Sequence, residues 1–123
     1  MKGKIILIDI DGTVCDDIKN EDWHLYESAK VIPNSRKTIN NWYEQGAHIT
    51  FFTARENKHR DITEKWLKDN GFNYHGLICD KPRMTEDKNE YIWIDNRKVR
   101  GITYVDKWND LKKVNKTILT FGD

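Results

Sequence analysis

The sequence is poor in cysteine, and its two cysteines, Cys15 and Cys79, lie far apart and form no CxxC pair. A zinc site or a redox pair is therefore not expected, and free thiols suit a reducing compartment. No apolar run approaches the roughly 18 residues that a membrane span requires. The apolar stretch behind the basic first residues ends at Asp9, too early for a secretory signal. We expect a cytoplasmic protein with no membrane partner.

Net charge is also nearly absent, since 21 Lys and Arg residues oppose 20 Asp and Glu residues and leave a formal charge of +1. This balance provides no general attraction for nucleic acid, so a nucleic-acid partner is not expected. One local basic cluster, Arg97, Lys98 and Arg100, could attract an anionic substrate or form a solvated face. At 123 residues, the chain has the size of a single domain over 1–123.

What the sequence does contain is a series of short apolar runs separated by helical patterns. Residues 5–8 form a β-branched run that predicts a central strand buried on both faces of a parallel sheet. Helices are predicted from Asn34 or Ser35 to Gly46 and over 58–70, and further strands over 47–52, 77–79, 91–94 and 102–105. This order predicts an α/β protein, a three-layer α/β/α sandwich with a mostly parallel central sheet. Short connections leave the pairing of 102–105 open, and Trp108, Leu111 and Val114 suggest a closing helix.

Residues 14–32 show no clean period, which indicates a loop or small flap rather than a core element. Within it, Trp23, His24 and Tyr26 could grip the leaving group of a substrate or anchor the flap on the core. Cys15 is expected to be a small buried filler rather than a reactive thiol.

Polar residues follow each of the first four predicted strands. The carboxyl ends of parallel strands line one edge of the sheet, so these side chains are expected to share a cleft. The four pairs, in chain order, are Asp9 with Asp11, Thr53 with Arg55, Lys81 with Arg83, and Asp95 with Asn96. The structural alternatives are a helix cap for Thr53, a surface ion pair for Arg55, an exposed lysine at Lys81 and a turn residue at Asp95.

The residue types at this cleft predict phosphate chemistry. Asp9 and Asp11 point to the same side of an extended chain, so one carboxylate can attack while the other moves protons. Two crowded carboxylates favour a cation, and Mg²⁺ is the hard ion that prefers oxygen ligands. Gly12 allows a tight turn whose free N–H groups could hold phosphate oxygens. Lys81 would offset developing negative charge.

These motifs resemble the four signatures of the haloacid dehalogenase (HAD) superfamily. The segment 9–14, DIDGTV, is similar to the first signature, DxDGT(V/L), and 51–55, FFTAR, to the second. Lys81 matches the third signature and 94–96, IDN, the fourth, with Asn96 where the family often has a second acid. The resemblance implies that Asp9 forms an aspartyl-phosphate and that Asp11 acts as general acid and base.

The resemblance also implies the ligand sets. Magnesium would be held by the Asp9 carboxylate, the Asp11 backbone carbonyl and the Asp95 carboxylate, with Asn96 assisting. Lys81 would act with Asp9 and Asp11 in catalysis, and the predicted phosphate-binding residues are Gly12, Thr13, Thr53, Ala54, Arg55 and Arg83.

Neither 14–32 nor the stretch between Arg55 and Lys81 is long enough for the cap domain that such enzymes commonly insert. A capless site needs a large substrate or a neighbouring subunit of a homo-oligomer to cover it. The segment 79–83 together with 94–96 resembles small phosphatases of capsule or polysaccharide synthesis. The expected function is therefore magnesium-dependent hydrolysis of a small phosphomonoester, of sugar-phosphate type. The alternatives are a nucleotide or polynucleotide 3′-phosphatase and a non-catalytic, receiver-like phosphate-binding module, against which the presence of Asp11 argues.

Overall fold

The computed structural model describes residues 1–109 and residue 111. Within it the chain forms two compact units, Met1–Arg83 and Met84–Asp123. A single domain over 1–123 stays a prediction.

The first unit is built on a parallel sheet of three strands in the order β1-β2-β3. The strands are β1 (Ile5–Ile8), β2 (His48–Phe52) and β3 (Gly76–Ile78). Ile8 lies opposite Phe51, and Phe51 lies opposite Leu77, so one buried row of apolar side chains crosses the sheet. The carboxyl ends of all three strands therefore meet at one edge.

Two helices connect the strands. Helix α1 (Ser35–Glu44) follows Asn34 in a left-handed conformation and is closed by Gly46, whose φ of 98° favours glycine. Helix α2 (Arg60–Asp69) follows a single 3₁₀ turn, Asn57–His59. The prediction of an α/β fold with a parallel sheet is confirmed, and residues 1–109 contain no inserted cap.

The segment 14–32 is more than a flap. It contains a kinked 3₁₀ stretch, Asn20–Ser28, and its Val14, Cys15 and Tyr26 side chains are buried. The indole Nε1 of Trp66 in α2 donates a hydrogen bond of 2.9 Å to the carbonyl of Ala29. The prediction that this segment lies outside the core is wrong, because apolar side chains can be buried at irregular spacing when a neighbouring helix supplies the packing surface.

The predicted fourth and fifth strands are also wrong. Residues 91–94 and 102–105 of the second unit form no strand, and Ile94 is 88% exposed. Among the described residues β1 is consequently an edge strand with Ile5 77% exposed, rather than a central strand buried on both faces. A β-branched run fits a pleated surface, but it becomes a strand only where a partner is available.

In the second unit Trp108 is buried, and its ring stacks on that of Tyr104 at 5.5 Å. Most of the predicted closing helix, including Val114, lies outside the described residues.

Candidate active site

Asp9 is the first polar residue after β1, and its carboxylate has two neighbours from different parts of the chain. Thr13 Oγ1 donates a hydrogen bond of 3.1 Å to Asp9 Oδ2. Lys81 Nζ, which follows β3, lies 3.5 Å from Asp9 Oδ1. Burial raises the pKa of Asp9 above its usual 3.8, and the Lys81 charge and the Thr13 hydrogen bond counteract that rise. The site thus contains a partly desolvated carboxylate next to an ammonium group.

Asp11 is held by Arg55 through both of its oxygens. Arg55 Nε donates to Asp11 Oδ2 at 2.9 Å, and Arg55 Nη2 donates to Asp11 Oδ1 at 2.7 Å. The Arg55 side chain is 0% exposed and that of Asp11 15% exposed, so the guanidinium is buried, the carboxylate is partly buried, and the pair is not a surface ion pair. A two-point contact between a guanidinium and a carboxylate is both strong and directional.

The guanidinium of Arg55 has further protein contacts. Its carbon Cζ lies 3.7 Å from the centre of the Tyr26 ring, and its Nη1 donates to Thr63 Oγ1 at 3.2 Å. Burial alone would lower the pKa of Arg55, but its hydrogen bonds with Asp11 and the charge of that carboxylate raise it above its usual value. The predicted contact of Arg55 with substrate phosphate stays a prediction.

Thr53 and Lys81 are joined through the main chain. The N–H of Lys81 donates to the Thr53 carbonyl, and that of Asp80 donates to the Arg55 carbonyl, both at 2.9 Å. Asp80 has a φ of 60°, a left-handed conformation that Asp tolerates better than most residues, and its Oδ1 accepts the N–H of Asn57. This turn brings Lys81 towards Asp9.

The side chain of Thr53 is buried, and its Oγ1 accepts the N–H of Arg55 at 3.1 Å. Thr53 therefore closes the turn after β2 rather than capping α2, which begins at Arg60. The Thr53 side chain is 0% exposed in the structure, and its contact with a phosphoryl oxygen stays a prediction.

Gly12 forms the tight turn that its position predicts. Its φ is 79°, and a Cβ atom there would lie 3.3 Å from Cγ of Asp17. The N–H groups are already used, however: that of Gly12 donates to the Cys15 carbonyl and that of Thr13 to the Ile10 carbonyl. The expectation of free N–H groups at Gly12 and Thr13 is wrong, because the turn closes on its own carbonyl groups.

Two aromatic rings of the 14–32 segment, Trp23 and Tyr26, pack on His59, and Tyr26 also contacts Arg55 of this site. Trp23, 48% exposed, stacks on His59 at 5.1 Å with 17° between the ring planes. Tyr26 meets the same His59 ring edge-on at 5.8 Å, and its hydroxyl donates to Asn20 Oδ1 at 3.3 Å. Asn20 Nδ2 in turn donates to the Ala54 carbonyl at 3.0 Å. Tyr26 therefore anchors the segment, whereas Trp23 keeps part of its ring exposed.

The predicted metal ligands lie in both units. In the second unit, Asp95 Oδ2 accepts from Trp93 Nε1 at 3.1 Å, Asp95 Oδ1 accepts from the N–H of Arg97 at 3.2 Å, and Asn96 is exposed. Across residues 1–109 and 111, no group of three or more His, Cys, Asp or Glu side chains is gathered as a metal site. Metal binding by Asp9, Asp11, Asp95 and Asn96 stays a prediction.

The geometry therefore unites Asp9, Asp11, Thr13 and Lys81 with the Thr53–Arg55 turn, while Arg83 is exposed. Sequence reasoning missed Thr63 and the contact of Tyr26 with Arg55. Cys15 is a buried filler as predicted, and burial raises the pKa of its thiol. The irregular spacing of 14–32 gave no signal that Tyr26 would reach Arg55, and Thr63 has the pattern of an ordinary helix residue.

The fold and this site define a phosphatase-like α/β protein. A family model described as "PITM 1-3, LNS2 domain" matches residues 6–113. The chain belongs to this LNS2 domain family. A search of curated proteins finds no match.

Solved structures share the fold. A structural-genomics target from Vibrio cholerae has a TM-score of 0.57 and 21% identity, over 79% of this chain and 83% of that one. A chain of the Pnkp1/Rnl/Hen1 complex has a TM-score of 0.58 and 21% identity, over 73% of this chain but 31% of that one. A chain of the Pnkp1/Rnl/Hen1 RNA repair complex gives 0.55 and 20%, over 71% and 27%. This chain thus spans less than a third of the length of the Pnkp1/Rnl/Hen1 chains.

In the described part of the chain, no helix combines the length and apolar character needed to cross a membrane. The cytoplasmic location stays a prediction.

Proposed function

We propose that this chain is a magnesium-dependent phosphomonoester hydrolase of the HAD superfamily that forms an aspartyl-phosphate on Asp9. One observation carries the proposal: Lys81 Nζ lies 3.5 Å from Asp9 Oδ1, although the two residues follow different strands. A lysine beside a nucleophilic carboxylate offsets the negative charge that develops on a transferring phosphoryl group. Membership in a phosphatase-type family supports the same class of reaction.

In the proposed reaction, Asp9 attacks phosphorus while Thr13 orients its carboxylate through the 3.1 Å hydrogen bond. Asp11 donates a proton to the leaving oxygen and then accepts one from the water that hydrolyses the aspartyl-phosphate. Lys81 and the Thr53 hydroxyl bind the transferring group.

The residues of the first unit fit a magnesium ion in part. Burial raises the pKa of Asp9, so its carboxylate would gain from a further positive charge. Mg²⁺ commonly binds one or two protein oxygens and completes its shell with water and substrate phosphate. The Asp9 carboxylate and the Asp11 backbone carbonyl would hold the ion, and Asp95 and Asn96 are the further predicted ligands. The ion would supply positive charge to the phosphoryl group.

The proposed substrate is a small phosphomonoester of sugar-phosphate type. A second candidate is the 3′-phosphate of a nucleotide or polynucleotide. It is supported by the exposed Trp23 ring, on which a base could stack, and by the fold shared with chains of an RNA repair complex.

Phosphate release from 4-nitrophenyl phosphate with Mg²⁺ tests the reaction class. The wild-type chain should release phosphate, Asp9→Asn should not, and Asp61→Asn, an exposed acid of α2, should match wild type. Equal release by wild type and Asp9→Asn, or no effect of chelation, would contradict the proposal.

Sugar phosphates, nucleotides and 3′-phosphorylated oligonucleotides, compared by kcat/KM, separate the two substrate classes. A solution mass measurement decides whether a homo-oligomer is available to cover the site.

A further inference from the structure

We infer that Arg55 is the positioning residue for Asp11, fixing the plane of that carboxylate beside Asp9 through its guanidinium fork. The inference rests on the proposed function and gives Arg55 a part that requires no contact with substrate.

The contacts of Arg55 are with the protein. Its Nε and Nη2 atoms donate to the two oxygens of Asp11, and Nη1 donates to Thr63. Nη2 also lies 3.8 Å from Cys15 Sγ. With the side chain 0% exposed, a phosphate ester cannot reach the guanidinium without displacing these partners.

The guanidinium is also held on its face. The Tyr26 ring lies 3.7 Å from Arg55 Cζ, and Tyr26 is tied through Asn20 to the Ala54 carbonyl, next to Arg55 in the chain. Contacts from the 14–32 segment and from Thr63 of α2 thus restrict the planar fork to one orientation. Because the fork binds both oxygens of Asp11, the same contacts fix the Asp11 carboxylate.

This pairing is compatible with proton transfer, since each carboxylate oxygen keeps a second lone pair. In the first step, Asp11 carries a proton taken from solvent on a lone pair that the guanidinium fork leaves free. Asp9 forms a bond to phosphorus, the ester oxygen leaves with the bonding electrons, and Asp11 gives that oxygen its proton. In the second step, water bonds to phosphorus and returns a proton to Asp11, and the electrons of the Asp9–phosphorus bond go back to Asp9. Both transfers need the Asp11 oxygen in one position.

A purely structural ion pair makes a different kinetic prediction. An alkyl alcohol is a poor leaving group and depends on the proton from Asp11, whereas nitrophenolate departs with little help. Loss of positioning should therefore slow alkyl phosphates more than aryl phosphates, whereas loss of folded protein slows both equally.

The test compares Arg55→Lys with wild type on 4-nitrophenyl phosphate and on glycerol phosphate, each with Mg²⁺. The variant keeps the charge but loses the fork. We expect kcat/KM to fall about 100-fold for glycerol phosphate and by less than about tenfold for the aryl ester. Arg36→Lys, whose guanidinium contacts only the Asn70 carbonyl among the described hydrogen bonds, should leave both values unchanged.

Equal losses on the two esters would overturn the positioning role. Should Arg55→Lys lack a cooperative unfolding transition, Thr63→Val replaces it. This variant loses the hydrogen bond from Arg55 and the one that the Thr63 hydroxyl donates to the His59 carbonyl. Loss of the bond from Arg55 should lower the alkyl-to-aryl ratio about fivefold. An unchanged ratio in Thr63→Val would overturn the inference as well. An inactive wild-type chain would refute the proposed function, and the inference with it, whereas an active chain with equal losses refutes the inference alone.

Discussion

Removal of either Asp11 or Arg55 alone should strongly lower the free energy of unfolding, because the remaining partner is left without its opposite charge. Asp11→Ala leaves a guanidinium that is 0% exposed without its counter-charge, and Arg55→Met leaves a carboxylate that is 15% exposed. Breaking a buried pair in this way costs about 3–5 kcal/mol, mostly from the uncompensated charge. We expect about 4 kcal/mol for Asp11→Ala and about 3 kcal/mol for Arg55→Met, since water can reach the remaining carboxylate more easily.

Urea unfolding measures this loss. With a slope of about 2 kcal/mol/M, Asp11→Ala should lower the midpoint by about 2 M. The double variant, Asp11→Ala with Arg55→Met, should lose about 2 kcal/mol less stability than the two single losses added together, because no unpaired charge remains. Lys65→Gln is the matched control, since it breaks an exposed pair with Asp69 in α2 and should leave the midpoint unchanged. Single losses below about 1 kcal/mol, or strictly additive losses, would refute this account of the pair.

Three further predictions concern other parts of the first unit. Gly12→Ala should lower stability by about 1–2 kcal/mol in urea unfolding, because φ is 79° and the new methyl group would meet Asp17; an unchanged midpoint would contradict this. Trp66→Phe removes the hydrogen bond from the Trp66 indole to the Ala29 carbonyl and should lower the free energy of unfolding by about 1–2 kcal/mol. Proteolysis within 14–32, which should become faster, is the second measurement. Burial raises the pKa of Cys15 and Cys79 above 9.0, so above that pH the unfolded chain loses thiol protons that the folded chain keeps. Stability should therefore fall as pH rises above 9.0, less steeply in Cys15→Ala, and a flat profile would show that the thiols ionise alike in both states.

The elements with strong local patterns were predictable from the sequence. Helix α1 has a clear stop at Gly46 and buries Ile39, and the three strands β1, β2 and β3 lie within a residue or two of their predicted bounds. Periodicity and glycine stops are local properties, so they can be recognised without knowledge of the tertiary structure.

The errors arose where the outcome depends on a partner. Residues 91–94 have a strand-like composition but form no strand in the described part of the chain, and 14–32 lacks a period yet buries Tyr26. Both outcomes depend on tertiary neighbours that a sequence pattern does not identify.

The site was predictable at the level of strand ends and less so at the level of contacts. The approach of Lys81 to Asp9 follows from parallel strands ending at one edge. The two-point contact of Arg55 with Asp11 could not be predicted from the strand ends. It depends on the rotamer of the long Arg55 side chain and on its contacts with Tyr26 and Thr63.

The turn at Asp80 bears on how this lysine could vary among related sequences. Lys81 and Asp80 are bound to the Thr53 and Arg55 carbonyls through main-chain N–H groups, which every residue except proline possesses. Neighbouring residues can therefore be substituted while the Lys81 ammonium group stays in place, provided that the residue at position 80 tolerates a left-handed backbone. Related sequences would therefore share few residue types around such a lysine. The feature they should share is Asp, Asn or Gly immediately before it, because these residues tolerate a left-handed backbone.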